Sequence, residues 1–164
     1  MWSSTLFSTR KIAVVQSLSR IDYWLIWGVG KADILAERSF RKEVQQLRIG
    51  KGEVFRGEGI LAITKALLEN GVGYVGGYQG APISHLMDVL ADAEEILGEL
   101  GVRFESSASE ASAAASLAAS VHYPIRGAIT FKSTAGTNVA CDALANLASS
   151  GVTGGTLIIV GEDY

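Results

Sequence analysis

Apolar residues recur along the chain with two alternating periods, near 3.6 and near 2, and that alternation is the pattern of an α/β protein. Residues 37–47 are charged, with Phe40, Val44 and Leu47 at spacings of four and three, which predicts a short amphipathic helix. Residues 51–56 read as a short strand or an extended lead-in. A helix is predicted over residues 59–69 with Ile60, Ile63 and Leu67 on one face, closed by Gly71 or Gly73. Residues 74–78 form a strand that ends in a Gly-rich turn. Residues 84–100 form a long helix, with Leu86, Val89, Leu90 and Leu97 inward and Asp92, Glu94, Glu95 and Glu99 outward. A strand at 102–106, an Ala-rich helix at 109–121, a strand at 127–131, a helix over about 138–148 and a fully apolar strand at 156–160 complete the series.

Strands that alternate with helices require crossover connections. The predicted fold class is therefore α/β: an open, mostly parallel sheet with helices on both faces. Residues 1–50 read as an N-terminal extension with a short amphipathic helix, and residues 51–164 as the α/β domain. Trp2, Trp24 and Trp27 show no clean period. No internal repeat or linker breaks residues 57–164.

Composition narrows the picture. The 164 residues, 48% of them hydrophobic, suffice for one core, and 19 glycines against 2 prolines fit many turns and close backbone approaches. Cys141 is the sole cysteine, so the chain has no internal disulfide and no cysteine-only zinc or iron–sulfur site. In its helix Cys141 reads as a small buried residue. The apolar stretch 23–29 is far short of the roughly 20 residues that span a bilayer. Together these point to the cytoplasm and away from a membrane. Residues 1–57 carry 10 Lys/Arg against 5 Asp/Glu, and residues 58–164 carry 4 against 12. The acidic body argues against a nucleic-acid surface, and the basic residues of the first third are spread rather than clustered.

In open α/β sheets ligands bind beyond the carboxyl ends of the strands. The loops that follow the predicted strands are 79–82, 108–110, 132–138 and 161–163. In the second, Ser109 is a natural N-cap, and Glu110 lies where free N–H groups and the helix dipole favour a negative charge. Taken alone, Glu110 has two readings, a helix-starting carboxylate or a positioned site residue. Neither G-x-x-x-x-G-K-[ST] nor a full G-x-G-x-x-G occurs, which disfavours a nucleotide. His85 and His122 have no metal-ligand spacing and read as structural. No G-x-S-x-G elbow is present. Asn138 reads as the cap of the helix that follows it.

Four stretches, taken jointly and in order, carry a resemblance: Gly76-Gly77-Tyr78-Gln79-Gly80-Ala81-Pro82, Ser109-Glu110-Ala111, residues 131–144 (Phe131-Lys132-Ser133-Thr134-Ala135-Gly136-Thr137-Asn138 onward), and residues 151–160. They resemble the pyrimidine-binding domain of the thiamine-diphosphate 2-oxoacid:ferredoxin oxidoreductases, nearest to the α subunit of the indolepyruvate type. The resemblance spans roughly residues 52–164.

The resemblance implies that Glu110 is catalytic: it bonds the N1′ atom of the aminopyrimidine and promotes the tautomer that removes the C2 proton. It implies that Gly80, Ala81 and Pro82 approach the cofactor and that Lys132 and Gln79 contact the substrate. Lys132 has an equal reading as a structural or interface lysine. The chain departs from the family's common Y-P-G-T-P form, with Gln79 for proline and Ala81 for threonine. The implied activity is oxidative decarboxylation of a 2-oxoacid, an aryl-pyruvate, with coenzyme A taking the acyl group and ferredoxin the electrons. No G-D-G with a downstream asparagine and no C-x-x-C is present. A partner domain or subunit is therefore expected to supply the diphosphate and Mg²⁺ sites, and no iron–sulfur cluster is expected in this chain. A homodimer is a further expected assembly. The chain reads as a fragment or single domain, truncated at its C-terminus and inactive alone. Two alternatives stand beside this one: a non-oxidative thiamine-diphosphate decarboxylase or synthase domain, and a non-catalytic interaction module that keeps the fold.

Overall fold

In the computed structural model, residues 38–118 and 123–162 are described. The expectations for residues 1–35, His122, Asp163 and the end of the Ala-rich helix lie outside them. A 3₁₀-helix at Glu43–Arg48 is followed by α1 (Gly59–Glu69), β1 (Val72–Gly77), α2 (Ser84–Asp92), α3 (Glu94–Glu99) and β2 (Arg103–Ser106). Then come α4 (Glu110–Leu117), β3 (Arg126–Lys132), α5 (Thr134–Ser150) and β4 (Thr156–Gly161). These residues fall within one unit, Glu37–Tyr164.

The four strands form one sheet in the order β2-β1-β3-β4, and every neighbouring pair is parallel. Each parallel step needs a crossover, supplied by α2 and α3, then α4, then α5. The chain leaves β1 toward β2, then returns to the other side of β1 for β3 and β4. That reversal is a topological switch point between β1 and β3. Successive residues of a strand face opposite sides. Ala128 accordingly joins a core with Phe40, Leu61, Leu86 and Leu97, while Ile129 and Phe131 join a second core with Ala113, Ala114 and Leu117. Both faces are covered, as the α/β pattern requires. Among the described residues no helix is long and apolar enough to cross a membrane.

Several elements differ in detail from the periodic reading. Residues 37–47 yield only the six-residue 3₁₀-helix. The residues before it are held by tertiary bonds: the Arg38–Glu58 ion pair and the Phe40 N–H donating to Asp92 Oδ2 at 2.5 Å. No strand forms over 51–56. Helix α1 has the expected bounds but a rotated face, burying Leu61, Thr64 and Leu67 and leaving Ile63 exposed. Thr64 can be buried because its hydroxyl donates to the Ile60 carbonyl at 3.0 Å. The long helix 84–100 is interrupted at Ala93 (φ −93°, ψ 5°), although its ladder continues from Val89 to Ala93 to Leu97 with bonds of 2.9 Å.

Helix α5 begins at Thr134, four residues before the expected start, so Asn138 lies inside it and caps nothing. Cys141 is exposed, not buried. α5 buries Gly136, Ala140 and Leu147, and one residue beyond Ala140 turns about 100° off that stripe. Strand β4 is apolar but forms a sheet edge, leaving Leu157 48% and Val160 42% exposed.

Candidate functional site

The carboxyl ends of the strands meet at one edge, and backbone bonds lock the loops there to neighbouring strands. Tyr78 N–H donates to the Thr130 carbonyl at 3.0 Å, Ser107 N–H to Gly77 at 2.8 Å, and Ser133 N–H to Gly161 at 2.8 Å. The Thr134 hydroxyl donates to Glu162 Oε1 at 2.7 Å, joining the loops after β3 and β4. The convergence expected from topology is thus present.

Glu110 is the first residue of α4. Ser109 adopts an extended conformation (φ −163°, ψ 167°), and its hydroxyl accepts from the Ser112 N–H at 3.1 Å. In return the Ser112 hydroxyl oxygen accepts from the Ser109 N–H at 3.0 Å, so the two serines close a capping box. This box fixes where the helix starts and therefore where Glu110 stands. The Glu110 side chain is half-buried and reaches the first turn of α5. A Cβ added at Gly136 would lie 3.1 Å from Glu110 Cγ and 3.0 Å from the Phe131 ring. Glycine at 136 is what lets the carboxylate lie against α5.

The loop after β1 crosses the ends of β3 and β4. A Cβ at Gly80 would touch Lys132 Cβ at 3.4 Å, and one at Gly161 would clash with Ile83 at 2.7 Å and crowd Pro82 at 3.1 Å. Gly80, Ala81 and Pro82 therefore run over the strand ends, with half-buried Lys132 beneath Gly80. The turn from β3 into α5 is the common neighbour: it meets Gly80 at Lys132 and Glu110 at Gly136. Gln79 is exposed, but its side chain is not loose, because Nε2 donates to Asp88 Oδ1 at 2.8 Å.

That last contact brings in Asp88, which no motif singles out, and His85, which the sequence reads as structural. Asp88, 8% exposed on α2, receives Gln79 on one oxygen and lies 3.2 Å from His85 Nδ1 with the other. The His85 ring stands edge-on to buried Phe40, with centroids 5.8 Å apart. The i, i+3 spacing of His85 and Asp88 was the only signal in the sequence. Beneath the same edge, the buried Thr130 hydroxyl has no hydrogen-bond partner.

Two cavities lie away from this edge. One of about 620 Å³ opens between α1 and the start of β4, lined by Ile63, Leu67, Asn70, Arg126 and Leu157. The other, about 390 Å³, lies beside Tyr74, Ser116 and Gly127. Burial raises the Tyr74 phenol above its ordinary range, and the nearby Ser116 hydroxyl pulls the other way. Among the described residues, no group of three or more His, Cys, Asp or Glu side chains is arranged to hold a metal ion.

A parallel open sheet with a capped carboxylate and a folded-over glycine loop at its switch-point edge has the architecture in which α/β proteins generally place their ligands. The chain is similar to the indolepyruvate oxidoreductase subunit IorA of Methanothermobacter marburgensis, 32% identical over 117 residues, which is 71% of this chain and 18% of that protein. The IorA subunit of Methanothermobacter thermautotrophicus is 33% identical over 102 residues, 62% of this chain and 16% of that protein. That of Pyrococcus abyssi is 31% identical over the same length, 62% and 15%. The chain thus spans less than a fifth of the length of these relatives. No protein-family profile and no solved structure matches it. The similarities support the oxidoreductase family to which the loop motifs point.

Proposed function

We propose that residues 51–164 are the pyrimidine-binding domain of a thiamine-diphosphate-dependent 2-oxoacid:ferredoxin oxidoreductase of the indolepyruvate type. The observation that carries this reading is Glu110, fixed by a capping box and set against side-chain-free Gly136 at the switch-point edge. A flat aminopyrimidine needs a held carboxylate and closely approaching backbone, which Glu110 at its cap and the Gly80–Pro82 loop over the strand ends offer, so the residues fit the group. When bound, thiamine diphosphate supplies the carbon nucleophile that adds to the ketone of a 2-oxoacid and accepts the electron pair left as CO₂ departs.

The chain's own residues have narrower tasks. Glu110 shares a proton with the pyrimidine nitrogen N1′. Gly80, Ala81 and Pro82 bring backbone close to the ring. Lys132, at the end of β3, supplies the cation that pairs with the substrate carboxylate. The diphosphate and its Mg²⁺ are held by a partner domain or subunit. Ferredoxin and coenzyme A are reached through the assembled enzyme, which includes a second copy of the chain, and the chain alone does not turn over.

The test is made in the reconstituted complex. Glu110→Gln lowers 2-oxoacid oxidation by at least about 100-fold, the usual loss when a positioned acid–base group is removed. Circular dichroism checks that the fold persists. Oxidation at the wild-type rate in this variant sinks the assignment.

A further inference from the structure

Gln79 replaces the proline expected in this loop, and its side chain is tied down by a pair of residues with no role in the scheme above. We propose that Gln79 is the specificity-determining contact for the substrate side chain, and that Asp88 and His85 are positioning residues that set which end of its amide faces the ligand.

An ionised carboxylate only accepts hydrogen bonds. Gln79 therefore turns Nε2 toward Asp88 Oδ1, 2.8 Å away, and the amide is not free to flip. The other oxygen, Oδ2, lies 3.2 Å from His85 Nδ1, the geometry of a ring N–H donating to a carboxylate. The His85 ring is in turn held edge-on by Phe40, a fully buried residue. Two donors thus occupy the two oxygens of a buried carboxylate. Oε1 is the remaining acceptor of Gln79, an exposed residue in the loop that crosses the strand ends.

A ligand at this edge meets an oriented acceptor whose ordering cost is already met in the free protein. The ligand class this favours is a 2-oxoacid whose side chain carries an N–H or O–H donor. A carbocyclic side chain of the same size leaves Oε1 desolvated without a partner. This inference rests on the proposal that the edge binds a 2-oxoacid.

The experiment compares two 2-oxoacids in the reconstituted complex, one with an indole side chain and one with the naphthyl ring that lacks the N–H. Gln79→Met raises KM for the indole substrate roughly fivefold relative to the naphthyl one, as expected for one net hydrogen bond. Asp88→Asn produces the same split, because the amide is then free to flip. The double variant is no worse than either single one. Equal changes for both substrates, or none, overturn the proposal. If Asp88→Asn fails to fold, exposed Gln79→Met decides the matter alone.

Nuclear magnetic resonance of the full chain gives a second reading, independent of turnover. The ¹⁵N spectrum reports His85 protonated at Nδ1, and titration with the indole acid alone shifts the Gln79 amide signals. A response to both acids, or to neither, overturns the assignment. A complex without Glu110-dependent turnover defeats the proposed function instead, and the titration then decides the role of Gln79 separately.

Discussion

The two faces of the sheet are packed from different materials. On the α1–α2–α3 face the core is large and aliphatic, with Leu61, Leu86, Val89, Leu90 and Leu97 around Phe40. On the α4–α5 face the helices contribute Ala113, Ala114 and Ala140 beside Leu117 and Leu147, packed on Tyr74, Ile129 and Phe131 of the strands, with Gly136 in the first turn of α5. The first face buries the larger cluster of side chains, so it dominates stability. Small side chains let two helices and a strand end approach closely. Glu110 belongs to this second face, where space is scarce and a carboxylate can be held against backbone. A stable face and a close-fitting face make different demands, and this sheet keeps them apart.

The comparison breaks most sharply at Leu97, a fully buried residue of the aliphatic face. Leu97→Ala is expected to cost about 2–5 kcal/mol, read as a lower midpoint in urea unfolding. Once allowance is made for the unfolded fraction, Glu110-dependent chemistry in the complex is retained. The complementary change is overpacking of the close face. Ala113→Leu is expected to cost about 1–3 kcal/mol, and to reduce turnover beyond what the lost stability explains, because α4 must shift away from α5. An Ala113→Leu variant that loses stability but keeps full turnover breaks the division between the faces.

The smallest expected effect concerns Tyr74, on the close face with a buried hydroxyl that lacks an aligned hydrogen bond. Burial raises its pKa in the folded state. The unfolded chain releases that proton near the ordinary phenol value of about 10, while the folded chain keeps it. The contribution of Tyr74 is thus fully present below about pH 10 and is lost as pH rises toward the folded pKa. Tyr74→Phe is expected to flatten this part of the stability-versus-pH curve, measured by denaturant titration from pH 8 upward. At neutral pH it changes stability little, since the buried hydroxyl has no well-aligned partner to lose.

Much of this fold is legible in the sequence where one period is strong and local. Helix α1 has the bounds that its apolar residues and Gly71 imply, and Gly71 takes φ 69° just beyond its end. The Ser109 cap is legible because a cap is a contact three residues long. The onset of α5 was hidden by Gly136, a poor helix former used here for the room it leaves Glu110. The exposure of Cys141 and of β4 depends on what packs nearby, which local sequence does not encode. The Gln79–Asp88 bond spans nine residues and a change of element, and no pattern along the chain announces it.

The loop that lies over Gly161 and Lys132 also sets how the rim of this edge can diverge among descendants. A side chain at position 161 collides with Ile83 and Pro82, and one at position 80 presses on Lys132, so either lifts the loop before it adds a contact. Heritable change in ligand preference is therefore channelled to the neighbouring exposed positions, 79 and 81, the two at which this chain departs from the common motif.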